Sequence, residues 1–333
     1  MDVDVVVNLK ARRGSEHVAR SLRAQLPGAK VLLSRSLEEA VAFTRERRSD
    51  LLVAAGGDGT AIGILNSLRG DALRWPALGM LPLGTGNAWA HATGAPRWRV
   101  AAGRLGDLLQ RKAPLPLRRF GLVEVAVPGR PGALAHFAGT GWDAEIIDDF
   151  HAQKEGLGVL PRSLRNGLAG YLHGVFTRTI PRHLIGRELP VVTITNTGAD
   201  ALTVDDAGRP IKMPGGEHGR VLYHGPTTVC AAGTAETWGF GFRAFPFAGL
   251  VPGRLCLRVY AGTAAEATRR MGQLWRGVHP TPKMHTFLIT SARAVFSREV
   301  PFQIGGDRLG RQREIEYSLA RESVDLVDWT RVA

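Results

Sequence analysis

The chain has 333 residues, of which 44% are hydrophobic and 22% charged, so it exceeds one typical domain and is not a disordered polymer. No stretch approaches the roughly 18 consecutive apolar residues of a membrane span, and the opening Met1-Asp2-Val3-Asp4 puts acid where a signal peptide carries base; the expectation is a cytoplasmic protein. Forty-three basic against 30 acidic residues leave a net charge of +13, which favours polyanions in general without choosing among nucleotide, nucleic acid and anionic lipid.

Zinc-finger spacing and RNP-like aromatic motifs are both missing, so nucleic acid is not an expected partner. The two cysteines, Cys230 and Cys256, lie in apolar, strand-like stretches and read as buried free thiols of a reducing compartment. Nothing in the sequence speaks to the oligomeric state.

Along residues 1–115, strands and helices alternate. Val3 to Val7 is, apart from Asp4, an apolar run suited to a strand buried on both faces. A polar turn, Asn8 to Ser15, leads to a helix with Val18, Ala19, Leu22 and Leu26 on one side. Val31-Leu32-Leu33 forms the next strand. Ser36 and Glu39 have capping-box spacing ahead of a second helix. Leu51 to Ala55 then runs into Gly56-Gly57-Asp58-Gly59-Thr60, followed by a helix through Ile62, Ile64, Leu65 and Leu68. Leu78 to Leu83 ends in Gly84-Thr85-Gly86-Asn87 and a short helix. This order predicts an α/β domain with a doubly wound parallel sheet.

After the Pro114–Pro116 break the texture changes. Leu122–Val127, Leu134–Ala138, Val191–Thr195, Thr228–Ala232, Leu255–Tyr260, His285–Thr290, Val300–Ile304 and Glu314–Leu319 read as strands, predicting an antiparallel β-sandwich over residues 116–310. A closing segment, residues 311–333, supplies a last strand and tail. Helices are expected over Arg162–Thr179 and Ala264–Trp275. The first has Leu164, Leu168, Tyr171, Leu172 and Val175 at helical spacing among arginines, a pattern that suits a membrane surface or a packed helix equally. Trp238, Phe240, Phe242, Phe245 and Phe247 suit either an acyl pocket or ordinary core.

The chemistry concentrates in the two glycine-rich loops. In an open parallel sheet, ligands bind beyond the carboxyl ends of the strands, and each loop follows a buried strand there. Gly56, Gly57 and Gly59 permit close backbone approach, and their amides at a helix start can meet phosphate oxygens. Thr60 adds a hydroxyl. Asp58 is a carboxylate beside an expected phosphate site, which a magnesium ion or a proton transfer would compensate. Gly-Asp-Gly is also an ordinary tight turn; its setting between strand and helix, with a second such loop nearby, favours phosphate. Neither loop contains lysine, so basic help must come from elsewhere, with Lys10, Lys154, Arg162 and Arg165 as candidates.

Gly56-Gly57-Asp58-Gly59-Thr60 resembles the nucleotide-binding signature of the diacylglycerol kinase catalytic domain family. Leu81-Pro82-Leu83-Gly84-Thr85-Gly86-Asn87-Ala88-Trp89-Ala90 is similar to its second loop, and Asn8 to the Asn of its Asn-Pro turn, with Leu9 in place of Pro. Gly139-Thr140-Gly141-Trp142-Asp143-Ala144-Glu145 resembles its Gly-x-Gly-Phe-Asp-Ala segment. The resemblance implies ATP and Mg2+ as cofactors, ATP lying in a cleft between the two domains with the chain end returning towards it, and phosphorylation of a lipid hydroxyl on diacylglycerol, a sphingoid base or ceramide. It further implies that Gly57, Gly59, Thr60, Gly84, Thr85 and Gly86 hold phosphate and ribose, with Asn8 and Asn87 near the nucleotide. Asp58 would orient magnesium or accept the hydroxyl proton. Asp143 and Glu145 become candidates for the lipid head group, Glu145 being equally readable as a solvated loop acid. A peripheral association with an anionic membrane follows from such a substrate.

Departures from the family pattern are specific. Ile62 and Gly63 stand where the family has Asn and Glu. Asn87-Ala88 replaces Asn-Asp, as in sphingosine kinases. Arg118 or Arg119 stands near the place of a magnesium-network Asp. Gly305-Gly306-Asp307 replaces Asp-Gly-Glu, leaving Asp307 as the candidate acid. A weakly active or silent nucleotide- or lipid-binding member, or a kinase for a soluble acceptor, therefore stays open. NAD kinases share the Gly-Gly-Asp-Gly loop, but their following Asn-Glu pair has no counterpart in this chain.

Overall fold

A computed structural model describes residues 1–11, 13–71, 75–152, 173, 177 and 188–332. The chain divides into two units, Met1–Phe120 with Glu322–Ala333, and Gly121–Arg321. The boundaries differ from those read in the sequence, 115/116 and 310/311, because they fall inside continuous strands. β5 (Leu117–Ala126) and β16 (Asp307–Val327) each run through one. Proline and composition mark the start of such a strand, not the point where its neighbours change.

The first unit is built on a parallel sheet in the order β2 (Lys30–Ser34), β1 (Val3–Asn8), β3 (Leu51–Gly56), β4 (Ala77–Pro82). Leu326 of β16 adds to it, paired in parallel with Leu78. Helices α1 (Glu16–Gln25) and α5 (Trp98–Gln110) cover one face, α2 (Leu37–Arg47) and α3 (Asp58–Leu68) the other. Covering both faces is why β3 reads as an unbroken apolar run and β1 as one broken only by the buried Asp4, with Val5, Val6, Val7 and all of Leu51–Ala55 fully buried. This is the doubly wound α/β architecture expected.

Local details depart from the sequence reading in two places. Ser36 caps α2 by accepting from Glu39 N, but the Glu39 carboxylate accepts from Arg35 N instead of closing a capping box. Helix α5 carries no clear signature because Gly103 and Gly106 interrupt it; a Cβ on Gly106 would lie 2.2 Å from the carbonyl oxygen of Gln25, so the glycine lets α5 approach the end of α1.

The second unit is antiparallel, with β7 (Phe137–Gly141), β12 (Val229–Gly233), β13 (Leu255–Tyr260) and β14 (Met284–Ile289) in succession. β15 (Ser291–Ile304) pairs with β8 (Val191–Asn196) through Ala292–Phe296 and with β7 through Phe302–Ile304, its register shifting between Val295 and Val300. One strand thus serves two layers, and Val123, Ile194, Leu257, Phe287, Phe296, Phe302 and Tyr317 fill the core. The sandwich stands as predicted, but Val300–Ile304 and Glu314–Leu319 are segments of strands β15 and β16, which are 14 and 21 residues long.

Two open readings are settled here. Trp238, Phe242, Phe245 and Phe247 pack with Phe137 into a second apolar cluster, so this aromatic stretch is core. The buried guanidinium of Arg258 fastens it, donating to the Ala244 carbonyl at 2.8 Å. The helix expected over Ala264–Trp275 breaks at Arg270 into Ala264–Arg269 and Met271–Arg276. The stretch 162–183, with Arg162 and Arg165, and also Lys154, lie outside the described residues except for His173 and Thr177. Cys230 and Cys256 are free and buried, and burial pushes both thiols up to about 12. Among the described residues, no helix is long and apolar enough to cross a membrane.

The returning tail completes the first unit's core, with Val327, Trp329 and Val332 buried beside Leu22, Leu26 and Leu105. Trp329→Ala is expected to cost about 3–5 kcal/mol. The loss should read as weakened hydrogen-exchange protection of β3 and β4, with the second unit's strands unaffected.

Candidate functional site

The strand order β2-β1-β3-β4 reverses direction of growth between β1 and β3, and such a switch point opens a crevice at the carboxyl ends of the strands. Three segments meet there. The turn after β1 begins at Asn8, whose side-chain Nδ2 donates to Thr60 Oγ1 at 2.8 Å while its Oδ1 accepts from Lys10 N at 2.8 Å. Arg13 N donates to the Leu83 carbonyl, tying this turn to the loop after β4. Gly14 is required for the turn, because a Cβ there would lie 1.9 Å from the Asn8 carbonyl oxygen.

The two glycine loops touch backbone to backbone. The Gly56 carbonyl accepts from both Leu83 N at 3.1 Å and Gly84 N at 3.0 Å. A Cβ on Gly84 would sit 2.4 Å from Gly57 Cα, and one on Gly56 would sit 2.7 Å from Thr60 Oγ1. Gly84 is therefore demanded by the contact between the loops and Gly56 by the Thr60 side chain of its own loop, packing reasons additional to the ligand approach that the sequence suggested. Gly57 is the N-cap of α3 and no side chain caps that helix. Gly59 is exposed in its first turn, so a helix N-terminus with its partial positive charge faces the crevice.

Asn87 closes the second loop. It adopts the left-handed conformation (φ 52°), its Oδ1 accepting from Gly84 N and its Nδ2 donating to the Gly84 carbonyl, both at 3.1 Å. Thr85 and Gly86 lie between these fixed ends, half-buried. The next helix, α4 (Ala88–Ala92), thus starts without a cap from Asn87. Asp58 supplies it: its Oδ2 accepts from Ala88 N at 2.7 Å and its Oδ1 from Trp89 N at 2.9 Å, with the residue 7% exposed. The partners of Asp58 were missed in the sequence. Their signal was an Asn that must take left-handed geometry to bracket Gly84-Thr85-Gly86 and so cannot cap its own helix.

Magnesium wants a near-octahedral set of oxygens, through one or two carboxylates beside phosphate and water. The crevice offers the Asp58 carboxylate alone, with both oxygens engaged by backbone N–H groups. Among the described residues no three or more His, Cys, Asp or Glu come together as a metal group. A single carboxylate, each of whose oxygens keeps a lone pair beyond its backbone bond, fits a magnesium ion shared with phosphate and water and not one held by the protein alone.

The remaining candidates belong to the second unit. Asp307 is exposed at the tip of the β15–β16 hairpin, after Gly305 (φ 58°) and Gly306 (φ 96°). Two successive left-handed residues are the signature of a tight hairpin turn, and Gly306 N donates to the buried Gln303 side chain at 2.8 Å. Asp143 and Glu145 lie in helix α6 (Trp142–Ala152). Glu145 lines a cavity of about 350 Å³ with Trp142, Thr228, Arg298 and Arg311, a volume within the range of small-ligand pockets.

Fold and loops together define an α/β domain with two paired glycine loops, followed in the chain by an antiparallel sandwich. Residues 3–113 match the sequence model of the diacylglycerol kinase catalytic domain. A 51-residue stretch is 49% identical to a diacylglycerol kinase of Bacillus subtilis (strain 168), covering 15% of this chain and 16% of that relative. A diacylglycerol kinase from Bacillus anthracis str. Sterne has a crystal structure similar over 100% of this chain and 98% of its own, at 17% identity and a TM-score of 0.65. That likeness speaks for the fold.

The loop contact makes a direct test. Gly84→Ala must push its methyl group into the Gly57 backbone, at an expected cost of about 1–3 kcal/mol. Gly272→Ala, in a helix with nothing near the added carbon, should be neutral or stabilising by about 0.5–1 kcal/mol. Paired denaturation curves separate the two.

Proposed function

We propose that the protein is a lipid kinase, transferring the terminal phosphoryl group of ATP to a hydroxyl of diacylglycerol, a sphingoid base or ceramide. The observation that carries this reading is the pair of glycine loops fastened together at the switch point of a domain of the diacylglycerol kinase catalytic family. Phosphoryl transfer asks for positioning and charge stabilisation more than covalent chemistry. The uncapped α3 N-terminus at Gly57–Gly59 meets the phosphates. Asn8, Thr60, Gly84, Thr85, Gly86 and Asn87 shape the floor on which the nucleotide lies, and Lys10, exposed beside Asn8, adds positive charge.

In the same proposal the cavity beside Glu145 receives the lipid head group, with Asp143 nearby in sequence, and Asp307 accepts the acceptor's hydroxyl proton. That oxygen bonds to the γ-phosphorus as the bond to the β-phosphate oxygen breaks, leaving ADP and a phosphorylated lipid. The net charge of +13 suits an enzyme working against an anionic bilayer from the aqueous side.

A second reading, nucleotide binding without turnover, is favoured by one observation. The carboxylate of the first glycine loop is spent on the second, while Ile62, Gly63 and Gly305 replace family acids or amides.

Purified protein given γ-labelled ATP with mixed micelles of each lipid class, and separately with NAD, distinguishes the readings. Label on one lipid class is the expected result. Label on NAD alone would overturn the lipid assignment, and ATP binding without transfer to any acceptor would establish the second reading. Asp307→Asn is expected to reduce transfer by about a hundredfold, the scale of a general base, with ATP affinity kept.

A further inference from the structure

We infer that the cavity beside Glu145 is an anion site: Arg298 and Arg311 take the phosphate of a lipid head group, so that acceptors carrying phosphate next to a free hydroxyl are preferred to neutral ones. The inference rests on the reading of this cavity as the head-group site and adds the chemical class of head group it selects.

The two arginines are brought together by a break in a strand ladder. β15 shifts its register against β16 between Val295 and Val300, and such a bulge takes residues out of the ladder and re-aims their side chains. Guanidinium groups take up the carbonyls freed there. Arg311 on β16, opposite Pro301, donates from Nη2 to the Glu299 carbonyl at 2.8 Å. Arg313 donates from Nε to the Phe296 carbonyl at 3.3 Å. Arg298, inside the bulge, donates from Nη2 to the Glu188 carbonyl. Arg298 and Arg311 thus line one cavity of about 350 Å³ from two strands, each held by a main-chain bond.

The kind of partner decides the chemistry. A main-chain carbonyl fixes a guanidinium in place but leaves its charge uncompensated and most of its N–H donors open. Among the described residues neither Arg298 nor Arg311 pairs with a carboxylate, whereas Arg119, Arg209, Arg243 and Arg293 all do. Three acids line the same cavity. Two of them, Glu188 and Glu299, are exposed and meet the arginines through their carbonyls. The third, Glu145, is half-buried on α6. Guanidinium forks bind phosphate oxygens in pairs, and a carboxylate accepts from O–H groups. Two open guanidinium groups and one carboxylate therefore match a phosphate ester that also bears hydroxyls. Diacylglycerol, a sphingoid base and ceramide bring no anion to the arginines.

The test uses the whole chain without ATP. Hydrogen exchange across Phe296–Glu299 and around Arg311 is followed with inositol, with inositol monophosphate, and with non-ionic detergent micelles containing either diacylglycerol or phosphatidylinositol. Phosphatidylinositol micelles should slow exchange in these segments, and diacylglycerol micelles should not. Inositol monophosphate should act only at higher concentration; equal protection at equal concentration would make this a site for a soluble phosphate ester and overturn the lipid assignment. Arg298→Gln and Arg311→Gln should each weaken the phosphatidylinositol effect about tenfold, the value of one charge-assisted bond. Arg130→Gln, at an exposed arginine outside the cavity, makes the same change in net charge and should leave the effect in place. Equal loss in all three variants would reduce the effect to the net charge of +13 and overturn the inference. Because both arginines also brace the bulge, Arg311→Lys, which keeps the charge and a donor for Glu299, is measured beside them: weaker protection in that variant supports a guanidinium fork, and undiminished protection overturns it. In the transfer assay, KM for phosphatidylinositol should lie about tenfold below that for diacylglycerol, and the Gln variants should lose this preference. Transfer to lipid without the preference would overturn the inference and leave the kinase reading standing. Protection by phosphatidylinositol in a protein that transfers to no acceptor would support the anion site while the kinase reading fails.

Discussion

The site depends on a contact that contains no side chain. Gly57 and Gly84 lie so close that Gly84 could not carry a β-carbon, which would sit 2.4 Å from Gly57 Cα. From this contact follows the cross-bonding of the Gly56 carbonyl to two amides of the next loop. The same closeness puts Asp58 within hydrogen-bonding reach of α4. In many phosphate sites glycines serve the ligand's approach; here the first demand on them is the approach of one loop to its neighbour. Two strand ends brought this near present their amides without intervening side chains.

That contact is held from behind by residues distant in sequence. Thr93, at the end of α4, accepts from Trp329 N through its carbonyl and donates from its hydroxyl to the Trp89 carbonyl. Asp328 N donates to the Pro116 carbonyl, and Trp329 is buried in the same core as α1 and α5. Helix α4 is therefore gripped at its start by Asp58 and at its end by the returning tail. A five-residue helix has little stability of its own, so both grips are needed to fix the second loop. Although the family match ends at residue 113, the unit that contains it is closed by Glu322–Ala333.

Much of this was legible in the sequence, and the reasons for success and failure are physical. The buried strands of the first unit announce themselves because helices on both faces make them uniformly apolar, as in Leu51–Ala55. The glycine loops are legible because their spacing relative to strand and helix is rigid. Helix α5 was hidden by glycines that serve helix packing, and the domain boundary by strands β5 and β16, whose residues keep one pattern across it. The role of Asp58 was hidden for another reason. A carboxylate beside phosphate-binding loops suggests metal or proton chemistry in a one-dimensional reading, and only the left-handed geometry of Asn87 shows that a helix start elsewhere needs that carboxylate. Likewise the aromatic run Trp238–Phe247 alternates in a way that fits an acyl wall or a core, and contact with Phe137 decides for core.

The placement of charge around the glycine loops is set by the same contacts. A crevice that spends its carboxylate on its own framework carries less negative charge towards a triphosphate than the sequence suggests. The uncapped start of α3 contributes partial positive charge, and Lys10 stands beside it on the turn that Asn8 organises. Asp307, held at the tip of a two-glycine hairpin whose Gln303 anchor is fully buried, is an exposed carboxylate on a rigid support. Asp58 and Asp307 thus stand in different settings, the first buried against backbone amides and the second exposed at a hairpin tip.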